Sequence, residues 1–239
     1  MPRLGVIGHL SRDVVAGAAP RIGGGPWHAG RAFRLAGADA LIIATCGPED
    51  EHAFRERLET LGLPVELAVR DVTTAFSLMY DGDGVRTMNV DAIGAPFRVE
   101  DLDVEWLQVA PLLRGDVVVP AGPQILFDAQ GLVRRPQLGP LRLDADFDRD
   151  ALRGVSMLKL AEEEAAIVGP VDVPEVIVTH GVRGATVNGV RVAADPVDAD
   201  PTGAGDAFGA GYLAARASGA EPVEAARSAC DLVTRMLSE

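Results

Sequence analysis

Asp200-Pro201-Thr202-Gly203-Ala204-Gly205-Asp206-Ala207-Phe208 leads into a run of small and apolar residues, Ala204–Ala217, with the make-up of a helix. Gly203 and Gly205 permit backbone conformations and close approaches that a side chain would block. A helix that starts here points unpaired N–H groups outward, and together with the helix dipole they form an anion site. Asp206 falls in the first turn of that helix and sets a proton acceptor beside the anion. A carboxylate there is costly unless it has a purpose, and a general base that takes the proton of an attacking hydroxyl is such a purpose. The plainer reading is a glycine-rich turn with Asp206 as a favourable first-turn acid, and an isolated G-x-G-D is read that way.

Upstream, strand-like and helix-like stretches alternate. Leu4–Gly8 and Ala40–Cys46 read as buried strands, with a helix over Trp27–Leu35 between them that ends near Gly37. A charged amphipathic helix, Glu51–Leu61, precedes a strand at Val65–Val69. Further strands are expected at Gln124–Asp128, Val155–Leu160 and Glu175–Thr179, and helices at Glu162–Val168 and Pro222–Leu237. Leu107–Pro111 and Asp116–Val119 are apolar but bounded by proline and glycine. Gln130–Asp150 yields no clear pattern. This rhythm predicts an α/β fold, a Rossmann-like, doubly wound and mostly parallel sheet, in one domain spanning residues 1–239. Two hairpins interrupt it. Phe76–Tyr80 and Val85–Val90 flank Asp81-Gly82-Asp83-Gly84, and Ala185–Val187 and Val190–Val192 flank Asn188-Gly189. The first, joined by Ser11–Gly25, is expected to form a small β lid from residues 11–25 and 73–92.

Composition removes several function classes. The net charge of −13 comes with no basic cluster beyond Arg134-Arg135, which argues against nucleic acid as a partner. Positive potential for a phosphate would have to come from backbone N–H groups, helix N-termini and metal ions. Lys159 is the only lysine, and no glycine-rich phosphate loop precedes it, which argues against a P-loop mechanism. Protein-kinase signatures are absent. No apolar run is long enough to span a membrane. The N-terminus passes directly into a strand pattern, and the two cysteines, Cys46 and Cys230, stand far apart. A cytoplasmic, reduced protein is expected.

With its flanks included, Asp-x-Thr-Gly-Ala-Gly-Asp-Ala-Phe resembles the second signature of the ribokinase-like (PfkB-type) sugar kinase family. The resemblance implies that Asp206 is the catalytic base and that Gly203, Ala204 and Gly205 form an anion hole for the transferred phosphoryl group. Gly5-Val6-Ile7-Gly8 with Asp13 resembles the family's first strand and its substrate-binding aspartate; Asp13 also reads as a solvated loop acid. Gly23-Gly24-Gly25 resembles the Gly-Gly substrate loop, and His28 falls where many members carry asparagine. Trp27 is open between a core position and a sugar-stacking one. Thr73–Phe76 and the hairpin after it resemble the lid region. Asp128–Arg134 resembles a stretch of some shorter, inositol-kinase-like members, with Arg134 either steering a phosphate or lying on the surface. Thr179-His180-Gly181-Val182-Arg183-Gly184 resembles the nucleotide loop, which makes Thr179, Gly181 and Gly184 nucleotide-binding. Lys159–Glu164 resembles the Asn-x-x-Glu motif with Ala161 in the asparagine's place. Glu164 keeps the acid that helps hold magnesium, often through water, although an acidic first turn needs no metal.

The implied activity is ATP-dependent transfer of the γ-phosphate to a hydroxyl of a sugar, a polyol such as inositol, or a nucleoside. ATP and Mg²⁺ are the implied cofactors, with a monovalent cation as a further one. The implied partners are a small-molecule substrate and, through the lid, a second copy of the chain. The central region is compressed and the tail after Asp206 is short, so Pro222–Leu237 or a partner subunit is expected to complete the adenine pocket. Two other readings stand beside this one. One is a catalytically weak nucleotide- or sugar-binding regulatory member of the same fold. The other is a kinase for a vitamin precursor such as a hydroxymethylpyrimidine, disfavoured slightly by the 5% aromatic content.

Overall fold

A computed structural model describes residues 3–80, 86–99, 102–118, 121–197 and 199–238. Its strands are β1 (Leu4–His9), β2 (Ser11–Val15), β3 (Arg21–Gly23), β4 (Ala40–Cys46), β5 (Val65–Val69), β6 (Thr74–Tyr80) and β7 (Arg86–Ala92). They continue with β8 (Trp106–Ala110), β9 (Gln124–Asp128), β10 (Gly139–Pro140), β11 (Met157–Ala161), β12 (Glu175–Thr179), β13 (Ala185–Val187) and β14 (Val190–Val192). The helices are α1 (Gly25–Ala36), α2 (Glu51–Glu59), α3 (Gln130–Val133), α4 (Glu162–Val168), α5 (Ala204–Ala217) and α6 (Pro222–Leu237).

Nine strands form the main sheet in the order β14-β13-β12-β11-β9-β8-β1-β4-β5. Pairing is parallel from β12 through to β5. β13 and β14 add an antiparallel edge. Strands buried on both faces read as continuous apolar runs, and β1 and β4 are buried along their whole length. Alternate side chains feed opposite cores. Leu4, Val6 and Ile42 pack with Phe33 of α1 and Tyr212 of α5, whereas Ile7, Leu41 and Ile43 pack with Leu107, Leu158 and Leu160. The β13–β14 hairpin turns at Asn188 and Gly189 with φ of 47° and 85°, the left-handed pair that a two-residue turn of this kind requires.

The five-stranded second sheet has the order β10-β7-β6-β2-β3. It gathers the two segments that the sequence singles out at 11–25 and 73–92. The turn Asp81-Gly82-Asp83-Gly84, with Val85, lies outside the described residues. Two stretches that the sequence leaves unassigned take shape here, and one boundary shifts. β10 comes from the stretch without a clear pattern and pairs with β7 through only two residues. Asp116–Val118 forms no strand, only a single bridge from Phe97 to Val117, because Asp116 turns its carboxylate inward to accept from the Leu112 and Leu113 N–H groups. Gly25 belongs to α1 rather than to the second sheet.

The order of the main sheet reverses at β1. The chain runs from β1 to β4 and β5 on one side, then returns to β8 on the other. In open α/β sheets the crevice beyond the strand ends at such a reversal is where ligands bind. α1 and α5 both begin over this crevice. α1 opens at Gly24 with Pro26 in its first turn and closes at Gly37, whose left-handed conformation returns its N–H to Arg34 O. Gly211 lets α5 approach the backbone of α6 at Ala229. Phe33, fully buried on α1, ties this helix layer to the sheet. Phe33→Ala is expected to cost about 3–5 kcal/mol. Thermal unfolding should read that as a fall in Tm on the order of 10 °C.

Candidate active site

The first turn of α5 lies between two cavities. One lies between the two sheets and is lined by Ser11, Asp13, Gly24 and His28 from the N-terminal segment and by Gly203 and Asp206 from the α5 turn. Gln130 and Arg134 add polar groups, and Phe76, Leu78, Met88 and Leu112 add an apolar wall. The other, of about 190 Å³, is lined by Thr179, Gly181 and Gly184 after β12, by Ala204 and Gly205 of α5, and by α6. Val182, Val197, Phe208 and Val233 make much of its wall apolar.

The glycines hold this geometry open. Gly203, the residue before α5, has φ 78°, and a Cβ there would overlap the His28 ring. Gly24 has φ 92°, and a Cβ there would overlap the His9 carbonyl. Gly23 packs on the Asp13 carboxylate, and Gly25 on Ala110, with Asp206 Oδ1 3.2 Å from where a Gly25 Cβ would stand. Ala204 departs from the expected anion hole. Its N–H donates to Pro201 O at 3.0 Å, which closes the turn. The N–H groups of Gly205 and Asp206 have no backbone partner among the described residues, so these two are the donors at the helix start.

Asp206 Oδ1 is enclosed and has no hydrogen-bond partner among the described residues. Its main-chain carbonyl accepts from Gln108 Nε2 at 3.1 Å, which pins the turn to β8. Burial pushes the Asp206 carboxyl up to about 7, with Asp128 and Glu164 adding to the rise and Lys159 and Arg134 opposing it. Burial likewise lowers His28 to about 4, with Arg31 and Arg21 adding to the fall. His28 is therefore neutral at physiological pH, and its Nδ1 has no partner among the described residues. Glu164 is buried and its carboxyl raised, first by burial and then by Asp128. Its Oε2 accepts from the Ala161 N–H at 2.8 Å, which caps α4.

Trp27 lies outside both cavities; it packs against the helix-side core and edges surface grooves. Arg134 takes the inward alternative and lines the inter-sheet cavity. The sequence reading missed Gln130 and the apolar wall, because β6 and β7 show only strand periodicity and not which face meets a ligand. It also missed that Arg21 Nη2 on β3 donates to Asp200 Oδ2 and Thr202 Oγ1, both at 3.3 Å. No group of three or more His, Cys, Asp or Glu suited to a metal occurs among the described residues. A magnesium ion would therefore have to sit mainly on phosphates and water, with Glu164 as an outer partner.

Carbon NMR of the Asp206 carboxyl should give a titration midpoint near 7. Asp128→Asn should lower that midpoint, since it removes a neighbouring negative charge. An ordinary carboxylate midpoint in the native chain would contradict the burial described above.

Comparison with known proteins places this geometry. Residues 149–232 match the family model described as pfkB family carbohydrate kinase. Among solved structures, a pyrophosphate-dependent kinase in the ribokinase family, complexed with a pyrophosphate analog and myo-inositol, superposes with a TM-score of 0.83 at 21% identity. That match covers 99% of this chain and 95% of the other. The Burkholderia thailandensis nucleoside kinase in complex with inosine gives 0.72 at 19% identity, covering 99% and 91%. The nucleoside kinase of Methanocaldococcus jannaschii, an archaeal member of the ribokinase family, gives 0.75 at 15% identity, covering 100% and 92%. The reversal at β1, the second sheet over the crevice and the glycine turn before α5 thus belong to a ribokinase-like fold, and the segment that carries Asp206 matches the pfkB carbohydrate kinases.

Proposed function

We propose that the chain is an ATP-dependent phosphotransferase that moves the γ-phosphate to a hydroxyl of a sugar, polyol or nucleoside. The observation that carries this reading is the α5 turn between two cavities, with Asp206, whose Oδ1 has no hydrogen-bond partner among the described residues, on the inter-sheet one and Gly205 on the other. In this reading the chain is one domain with the second sheet as its lid. The acceptor binds between the sheets, where Asp13 accepts from its hydroxyls. Gly23, Gly24 and Gly25 shape the floor, and neutral His28 offers a ring nitrogen.

Asp206 takes the proton of the acceptor hydroxyl as its oxygen attacks the γ-phosphorus in line. The bond from that phosphorus to the bridging oxygen breaks, and the bridging oxygen leaves with ADP. The N–H groups at the α5 start receive the charge on the transferred group. Thr179, Gly181 and Gly184 face the nucleotide, and α6 completes the apolar wall against its base. Magnesium, when bound, supplies a Lewis acid for the phosphate oxygens, with Glu164 as its partner through water. A second sheet closed over the acceptor limits hydrolysis of ATP by water. The cytoplasm, with its ATP and reducing conditions, fits the buried free Cys46 and Cys230. Pairing of two copies through the edge of the second sheet completes the reading.

The apolar cavity beside Gly205 supports a nucleoside as part of the donor. Pyrophosphate is the donor to set against ATP, since a solved structure of this fold comes from a pyrophosphate-dependent kinase. Product formation should be measured with each donor over myo-inositol, ribose and inosine. ATP-dependent phosphorylation of one acceptor is the expected result, and pyrophosphate-only turnover would correct the donor. Asp206→Asn should lower kcat about 100- to 10,000-fold. Because the base works only when ionised and its carboxyl is raised to about 7, kcat/KM should fall about tenfold per pH unit below 7 and level off above it. A flat profile from pH 5 to 8, or full activity in Asp206→Asn, would remove Asp206 from the chemistry.

A further inference from the structure

The roles assigned above leave a buried cation unused. Lys159 stands in β11 between Leu158 and Leu160, in a strand that is otherwise apolar. Its Nζ lies 2.8 Å from Asp128 Oδ2 on the neighbouring strand β9, with the two side chains 6% and 3% exposed. A buried ion pair is weak evidence for stability, because apolar residues of the same volume often serve as well. The position of the ammonium points to another use. A Cβ on Gly205 would stand 3.1 Å from Nζ. Gly205 supplies one of the two unpaired N–H groups at the α5 start and also lines the cavity proposed for the donor.

We propose that Lys159 is a catalytic residue whose ammonium, held by Asp128, contacts the phosphoryl group of the donor over Gly205 and stabilises the negative charge that gathers there during transfer. This rests on the phosphotransferase reading. The charge balance of the site favours such a group. Asp128, Glu164 and Asp206 place three carboxylates around the turn, and an arriving phosphate adds further negative charge. The two N–H groups carry only partial charges. Arg134 lines the inter-sheet cavity with Gly203 and Asp206, while Lys159 brings a full positive charge to Gly205 on the side of the donor cavity. Burial by itself would lower the Lys159 pKa, yet Asp128, Glu164 and Asp206 hold it above its ordinary value, so the side chain stays charged.

The test is the double variant Asp128→Asn/Lys159→Met, which removes both charges of the pair and leaves neither buried alone. Asp128 raises the Asp206 carboxyl and Lys159 lowers it, so removing both largely preserves the base. The double variant should melt close to the native protein while kcat falls about 100-fold, with the acceptor KM unchanged. Native turnover in the double variant would show that Lys159 only neutralises Asp128, and would overturn the proposal. Where the native chain shows no turnover with any acceptor, calorimetry with inorganic tripolyphosphate decides instead. Binding to the native chain that weakens at least tenfold in the double variant supports the contact even as the kinase reading falls. Equal affinity in the two proteins, or no binding to the native chain, removes it.

Discussion

At Ala110, the last residue of β8, three elements of the fold are drawn tightly together. A Cβ on Gly8 of β1 would overlap its carbonyl, and one on Gly25 of α1 would overlap its methyl group. Interiors at native density accommodate such contacts only by leaving side chains out. With glycine on two sides and alanine at the centre, β1, β8 and the start of α1 close on one point, and Asp206 settles over Gly25. The reversal of strand order at β1 brings these elements together. The missing side chains allow them to meet at contact distance and leave the crevice above open.

The same economy governs charge. A chain with a net charge of −13 has little positive charge to spare for phosphates. At the crevice stand two helix starts, Lys159 and Arg134. Burial makes each of these count for more, since charges interact more strongly where water is excluded. It also lifts the carboxyls of Asp206 and Glu164 and holds His28 neutral. The bonds from Arg21 to Asp200 and Thr202 extend the arrangement, for they fasten an edge strand of the second sheet to the loop that leads into α5.

The parallel core was legible from apolar runs, because strands buried on both faces carry few polar residues to blur their limits. The turn before α5 was legible because Gly203 and Gly205 have a steric purpose that can be read without coordinates. Less legible were features that depend on the third dimension. β10 is two residues held by β7, too short for any period to show. The occupied N–H of Ala204 depends on how Pro201 folds back, which the motif does not state. The pairing of Asp128 with Lys159 leaves only a faint sign, a lysine inside an apolar strand. What such a lysine reaches is decided by a glycine about 46 residues further along, across a fold that periodicity cannot describe.

The residues proposed to hold the acceptor and those proposed to hold the donor come from different stretches of chain. Ser11, Asp13, Gly24 and His28 lie within the first 28 residues, and Phe76, Leu78 and Met88 follow before the middle. The proposed nucleotide loop, Glu164, Lys159 and Asp206 all fall inside residues 149–232, the part that matches a family model. Division of this kind lets the two halves drift at different rates. Phosphoryl chemistry is the same whatever receives the group, so its half stays recognisable. Recognition of the receiving molecule must change with every new substrate, which frees its half to vary. Exchange of the N-terminal segments between relatives would then act as a graft of selectivity onto a retained catalytic half.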